Sequence, residues 1–393
     1  MMDYTSLLSP VVRDLKPSGI RKFFDLVDNM KDPEVISLGV GQPDFVTPWH
    51  IREAGIDSLT SGRTFYTSNA GIPELRREIC AYLARRFGLN YSPEDETIVT
   101  VGASEAIDIC VRALVSPGDE VIIPEPSFVC YEPIVRMARG TPVIVPTKAE
   151  NEFRLTAAEL RAALTERTRL LILPFPNNPT GAILRKEDLE ALAAVLRDTR
   201  VMVLSDEIYG ELTYDGGHVS IASLPGMAER TIVVNGFSKA YAMTGWRLGY
   251  ACGPAPVIEQ MNKIHQYAIM CAPITAQDAA IKALRDGDED IRYMVSQYDA
   301  RRRYLLDSLR KLGITCFEPL GAFYVFPSIK RFGLSSEAFC ERLLTERKLA
   351  VIPGNAFGES GEGFVRISYA YSIDNIERAL ERLRLFVENW PCK

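Results

Sequence analysis

Between about residue 70 and residue 252, short runs of β-branched and aliphatic residues alternate with longer stretches in which apolar positions recur every three or four residues. The runs are "TIVTV" 97–101, "EVIIP" 120–124, "PVIVP" 142–146, "RLLILP" 169–174, "VMVLSD" 201–206 and "TIVVNG" 231–236. Being apolar at nearly every position, they predict strands covered on both faces, as parallel strands are when helices pack above and below them. The stretches between them predict helices at 104–115, at 156–165, where Thr156 and Glu159 have capping-box spacing, and at 186–197. The implied class is α/β, a large domain with a mostly parallel sheet covered by helices.

After about residue 255 the texture changes. Charged helical patterns cover 287–312 and 335–347, "GAFYVFP" 321–327 and "FVRISYA" 364–370 alternate as strands, and an amphipathic helix starts near 374. This predicts a smaller α+β unit. The first 45 residues hold a helical pattern, "GIRKFFDLVDNM", and a Gly/Pro-punctuated loop, "SLGVGQPDF", that could pack on either part.

Composition narrows the function classes. The chain has 393 residues, 47% hydrophobic and 24% charged, with a formal net charge of -6, so neither a nucleic-acid nor an anionic-membrane footprint is expected. No run approaches the roughly 18 apolar residues of a membrane helix, and the start lacks a signal-peptide pattern. Eight cysteines without C-x-x-C spacing read as reduced thiols of a cytoplasmic protein. His50, His218 and His265 lie far apart and lack H-E-x-x-H pairing, so no metal site is expected.

Ligands of open parallel sheets sit beyond the carboxyl ends of the strands, which directs attention to the residues just past each run. Gly102-Ala103-Ser104 ends one strand and begins a helix, a place where free N–H groups can meet an anion or where Ser104 simply caps the helix. Asn177 and Asn178 precede Pro179, which suits a rigid amide or an ordinary turn. Asp206 ends an apolar strand and needs a cation or an N-cap role, with Tyr209 near the same edge if a helix begins there. Lys239, in "VVNGFSKAYAMTGWRLGY", comes just after the last strand. A snorkelling lysine is one reading; the other is an amine whose ammonium form is disfavoured by apolar surroundings and which is therefore nucleophilic toward aldehydes.

Five ordered motifs, "NNPTGA" 177–182, "SDEIY" 205–209, "SKAYAMTGWRLGY" 238–250, "GAFYVFP" 321–327 and "FVRIS" 364–368, resemble the class I aminotransferases, pyridoxal 5'-phosphate enzymes of fold type I. The resemblance runs from near residue 37 to near residue 370. It implies a large cofactor-binding domain over 46–285, and a small domain built from 1–45 with 286–393. It implies that Lys239 is the Schiff-base lysine and proton carrier, and that Asp206 pairs with the pyridine nitrogen. Tyr209 and Asn178 match residues that bond the cofactor's O3′, and Arg247, Ser238 and the Ala103–Ser104 helix start match the phosphate cup. Phe128, in "PSFVCY", stands where many relatives stack a tryptophan on the ring. Gly236 stands where many have a phosphate-binding serine, which throws weight onto Ser238.

On the substrate side, Arg366 matches the arginine that clamps the α-carboxylate, and Gly41 matches a loop glycine that closes over the substrate. Tyr66 matches a tyrosine reaching the neighbouring subunit's cofactor, which implies a homodimer with shared sites. The implied reaction moves an amino group from an amino acid to a 2-oxo acid, with glutamate and 2-oxoglutarate as the expected common pair. The segments "GASEAID", "SDEIYGELTYD", "HQY" and "FPSIKRFG" are most similar to those of the N-acetyl-diaminopimelate aminotransferases, with the aromatic and aspartate enzymes next. A carbon–sulfur β-lyase on the same fold is the rival activity, and a sensor domain of a transcription regulator a remoter one.

Overall fold

The computed structural model describes residues 2, 4–17 and 19–390. Ser18, in the segment before the first predicted helix, and Cys392 lie outside the described residues. A two-residue strand, β1 (Ile36–Ser37), precedes seven that form one sheet: β2 (Thr97–Thr100), β3 (Glu120–Glu125), β4 (Thr141–Pro146), β5 (Thr168–Leu173), β6 (Met202–Asp206), β7 (Thr231–Gly236) and β8 (Gly249–Cys252). Their order is β2-β8-β7-β6-β5-β3-β4. Neighbours pair in parallel from β7 through β6, β5 and β3 to β4, whereas β8 runs antiparallel to both β7 and β2. Strands β2, β3, β7 and β8 are buried at every position, because helices cover both faces.

The six predicted strands match β2 to β7 within a residue or so at each end. The predicted helices run Ala103–Leu114, Ala157–Ala163 and Lys186–Leu196, and the Thr156/Glu159 capping box forms. Strand β8 is the addition. It is four residues long, begins at Gly249 and lies in the last turn of a motif read for its chemistry, so no run of its own announces it.

The remaining strands are β9 (Tyr324–Val325), β10 (Leu349–Ala350), β11 (Ile352–Pro353) and β12 (Val365–Ser368). The last two and β9 form an antiparallel sheet ordered β11-β12-β9, and β10 pairs in parallel with β1. The longer strands expected over 321–327 and 364–370 contract. Leu320 and Gly321 donate their N–H groups to the Gly181 carbonyl, and Ala322 donates to Leu212, so the flanks of β9 are spent on loops from the large sheet. Helices Asp288–Lys311, Ser336–Arg347 and Ile373–Glu388 pack around these strands. Phe23, Ile36 and Leu38 join the same apolar core as Phe339, Leu343 and Phe386, which places the early segment on the C-terminal part of the chain. Tyr209 and Leu212, just past β6, reach that core as well and tie the sheet edge to it.

Candidate active site

The carboxyl ends of β5, β6 and β7, together with the start of β8, lie along one edge of the sheet, and a cavity of about 390 Å³ opens there. Asp206, the last residue of β6, is buried. Its Oδ2 accepts from the Tyr131 hydroxyl at 2.7 Å and its Oδ1 from the Ile208 N–H at 3.2 Å. Burial pushes its carboxyl up from 3.8 to about 6, against those hydrogen bonds and the nearby Lys239 charge, which act the other way. No helix begins after Asp206. The chain turns instead, with the Gly210 N–H on the Glu207 carbonyl, so the N-cap alternative and the helix expected to place Tyr209 are both corrected. The turn still brings Tyr209 to the same edge.

Lys239 lies three residues beyond β7. Its Nζ donates to the Gly41 carbonyl at 2.7 Å and sits 5.6 Å from the ring centres of Tyr209 and Phe323. Dense surrounding protein, then the charges of Arg366 and Arg247, bring its ammonium down from 10.5 to about 8; Asp206 opposes them. The amine is half-buried because its tip faces the cavity. At pH 7 such a lysine holds roughly a tenth of its population as free base, several hundred times the share of a solvated one.

Arg366, in β12, is 2% exposed. Its Nη1 donates to the Asn178 side-chain oxygen at 2.8 Å and its Nη2 to the Gly39 carbonyl, while Nε has no partner. Among the described residues no carboxylate pairs with it. The rings of Tyr324 and Phe357 lie 4.5 and 4.7 Å from the guanidinium carbon and take the place of an anion, each such contact contributing about 1–2 kcal/mol when desolvated. Desolvation lowers its pKa, the ordinary response of a buried cation.

The cavity lining also holds a helix start beside a second arginine. Helix Ala103–Leu114 starts with Gly102 as N-cap, and no side chain caps it, so Ser104 is not the cap. Gly102 has φ +78, and a Cβ on it would lie 2.6 Å from Arg247 Nη2. Only glycine therefore lets the helix start and the guanidinium approach each other. Arg247 is exposed, adopts φ 54 and donates to the Thr244 carbonyl at 3.1 Å. Lys239, Arg247 and Arg366 against the single carboxylate of Asp206 make the lining anion-attracting.

Thus the structure gathers Gly41, Ala103, Ser104, Phe128, Asn178 and Asp206 around one cavity, and adds Tyr209, Ser238, Lys239, Arg247 and Arg366 to its walls. Tyr66 is not among them and is 78% exposed. Among the lining residues that the sequence analysis did not name, two make side-chain hydrogen bonds to predicted site residues. Tyr131 holds Asp206, and Tyr324 puts its hydroxyl 2.9 Å from that of Tyr209. Both belong to motifs read for other residues, "PSFVCY" and "GAFYVFP", where a tyrosine looks like any core aromatic. The three histidines stand elsewhere, each against a carboxylate: His50 with Asp290, His218 with Glu207, His265 with Glu105. Among the described residues no group of His, Cys, Asp and Glu could hold a metal ion, and no helix is long and apolar enough to cross a membrane.

An amine whose ammonium is brought down to about 8, a buried acid and two arginines around one cavity at the carboxyl edge of a parallel sheet are the parts that carbonyl–amine chemistry requires. Comparison with known proteins makes this specific. The sequence profile of the family "Aminotransferase class I and II" matches residues 33–383. The Bacillus subtilis protein YugH, named as an aminotransferase, is 55% identical over 98% of this chain and 99% of its own. Another B. subtilis protein, named for N-acetyl-LL-diaminopimelate aminotransferase activity, is 46% identical over 97% of this chain and 96% of its own. The crystal structure of an aromatic aminotransferase from Pyrococcus horikoshii superposes with a TM-score of 0.89 at 44% identity, covering 94% of this chain and 98% of that one. The chain belongs to the class I and II aminotransferases, and it is a transaminase of the pyridoxal 5'-phosphate-dependent kind.

Proposed function

We propose that this enzyme holds pyridoxal 5'-phosphate through Lys239 and exchanges the amino group of an amino acid with a 2-oxo acid, glutamate and 2-oxoglutarate forming one of its pairs. The observation that carries this reading is the half-buried Lys239 amine, lowered to about 8, in one cavity with Asp206 and two arginines that, among the described residues, pair with no carboxylate. The residues suit the cofactor: Asp206, pushed up to about 6, lacks the cation that a pyridinium N–H would supply, and Arg366 Nε lacks an acceptor. Asp206 would take the ring nitrogen, Tyr209 and Asn178 the ring hydroxyl, and Arg247, Ser238, Ala103 and Ser104 the phosphate, with Phe128 against the ring. When bound, the cofactor supplies an electron sink for the bond broken at the substrate Cα.

The chain's own groups do the rest. Lys239 would hold the cofactor through its amine and, when free, would carry the proton at the substrate Cα. Arg366 orients the substrate carboxylate in a planar fork, and Gly41 closes the loop side. Residues 46–285 form the cofactor-holding unit, and 1–45 with 286–393 the smaller one.

For the amino donor, N-acetyl-LL-diaminopimelate leads, with aromatic amino acids and aspartate next. Relatives named for the first two differ by only two points of identity, so similarity alone does not rank them. The enzyme acts as a homodimer in which Tyr66 reaches the partner's site. In support, the exposed Trp49, Ile56, Leu59, Phe65, Tyr66 and Tyr267 cluster on helix Trp49–Thr60, the loop after it and the end of helix Ala255–Ala268, which Asn69 joins through the Met270 carbonyl. The test is reconstitution with pyridoxal 5'-phosphate and a donor panel against 2-oxoglutarate. Wild type should gain a visible absorbance band and turnover, and Lys239→Ala should have neither; full turnover in the variant overturns the assignment.

A further inference from the structure

We propose that Tyr324 is a positioning residue that joins the substrate-carboxylate site at Arg366 to Tyr209, so that the two phenols work as a unit; this rests on the proposed cofactor-binding role of the site. Three independent features place it. Tyr324 is 1% exposed, and its ring lies 4.5 Å from the Arg366 guanidinium carbon, so it is a platform for a buried charge that has no carboxylate. Its hydroxyl lies 2.9 Å from the Tyr209 hydroxyl. Space for that hydroxyl comes from Gly41, where an added Cβ would sit 2.5 Å from the oxygen. A phenylalanine would fill the core equally well without requiring a glycine opposite, so the oxygen has its own place in the design.

Register explains how one short strand reaches both partners. In the β12·β9 pair Ser368 stands opposite Tyr324, and Arg366, two residues along β12 on the same face, is the diagonal neighbour of Tyr324. Tyr324 therefore moves with Arg366, while the end of its side chain rests on a residue just beyond β6. The charged and titratable groups facing the couple are Arg366, Lys239 and Asp206, with the phenols of Tyr131 near Tyr209 and of Tyr298, Tyr369 and Tyr371 near Tyr324. Burial raises both phenols, and Arg366 offsets part of this at each of them. The hydroxyl pair is thus neutral, with one shared proton position whose direction responds to what Arg366 holds.

The consequence is that a carboxylate arriving at Arg366 alters the donor that Tyr209 presents to the cofactor's ring hydroxyl. Three variants test this: Tyr324→Phe, Tyr209→Phe and the double variant, reconstituted with pyridoxal 5'-phosphate and titrated by visible absorbance from pH 5 to 10. Tyr324→Phe should shift the midpoint by half a pH unit or more, about threefold in the equilibrium. In the Tyr209→Phe background it should add less than half of that shift, because the partner is already gone. Equal shifts in both backgrounds, or none in either, overturn the proposal. Tyr324→Leu, which removes the platform too, should raise KM for amino acids about tenfold beyond Tyr324→Phe at similar kcat; equal KM values in the two variants overturn the platform role. A wild-type protein with no visible band would instead defeat the functional reading itself.

Discussion

Replacing Asp206 by asparagine should stabilise the protein without cofactor while weakening its hold on the cofactor. Asp206 is buried, and its carboxyl moves from 3.8 to about 6 chiefly through loss of water. A group whose folded value lies above its unfolded one lends stability that is complete below the unfolded value and gone once pH passes the folded value. At pH 7.5 the ionised carboxylate therefore costs the folded chain about 3 kcal/mol, at 1.36 kcal/mol per pH unit of displacement. The amide keeps the Tyr131 hydroxyl as donor but loses one acceptor toward the Ile208 N–H, a loss of about 1 kcal/mol. A net gain of about 2 kcal/mol is expected at pH 7.5, and none at pH 4, where the native carboxyl is already protonated. Urea unfolding of the cofactor-free proteins at the two pH values measures it. With cofactor present most of that advantage is lost, since the variant offers the ring nitrogen no charge-assisted bond and should bind about tenfold more weakly, or about 1.4 kcal/mol. Equal stability of the two proteins at pH 7.5, or unchanged cofactor affinity, would refute the reasoning.

The same geometry sets two further outcomes. Arg366→Leu should raise KM for every amino donor by about a hundredfold, read from initial rates across a donor panel, and an effect confined to one donor would mean that the arginine reads side chains. In the cofactor-free enzyme, labelling of Lys239 by trinitrobenzenesulfonate, tracked by peptide mass, should rise with a midpoint near 8. Arg366→Met should move that midpoint up and Asp206→Asn down, since the first removes a like charge and the second an opposite one; a midpoint near that of a solvated lysine contradicts the burial argument.

Strands β2 to β7 were legible because a doubly covered parallel strand must be apolar almost throughout. Lys239 and Asp206 were legible as chemistry because charges beside such runs demand a reason, whereas Arg247 came only from the resemblance of its motif. Tyr131 and Tyr324 were not, because a phenol that packs its ring in a core and spends only its oxygen on the site leaves no trace in the apolar pattern. Strand β8 was hidden for a different reason: four residues carry no periodicity, and its outer partner, β2, is distant in sequence. The turn after Asp206 replaces a helical expectation because the Gly210 N–H closes on the Glu207 carbonyl and the Leu212 N–H on that of Tyr209, so the chain winds in short turns.

The loop at Gly39 to Gln42 lends two of its peptide oxygens, those of Gly39 and Gly41, to Arg366 and Lys239. These acceptors belong to the main chain and so survive any change of side chain. A ligand that takes over Lys239 Nζ or Arg366 Nη2 displaces a main-chain acceptor, while the partnerless Arg366 Nε gains one. In the proposed exchange of an amino acid with a 2-oxo acid, release of either leaves both cations the same main-chain partners to return to.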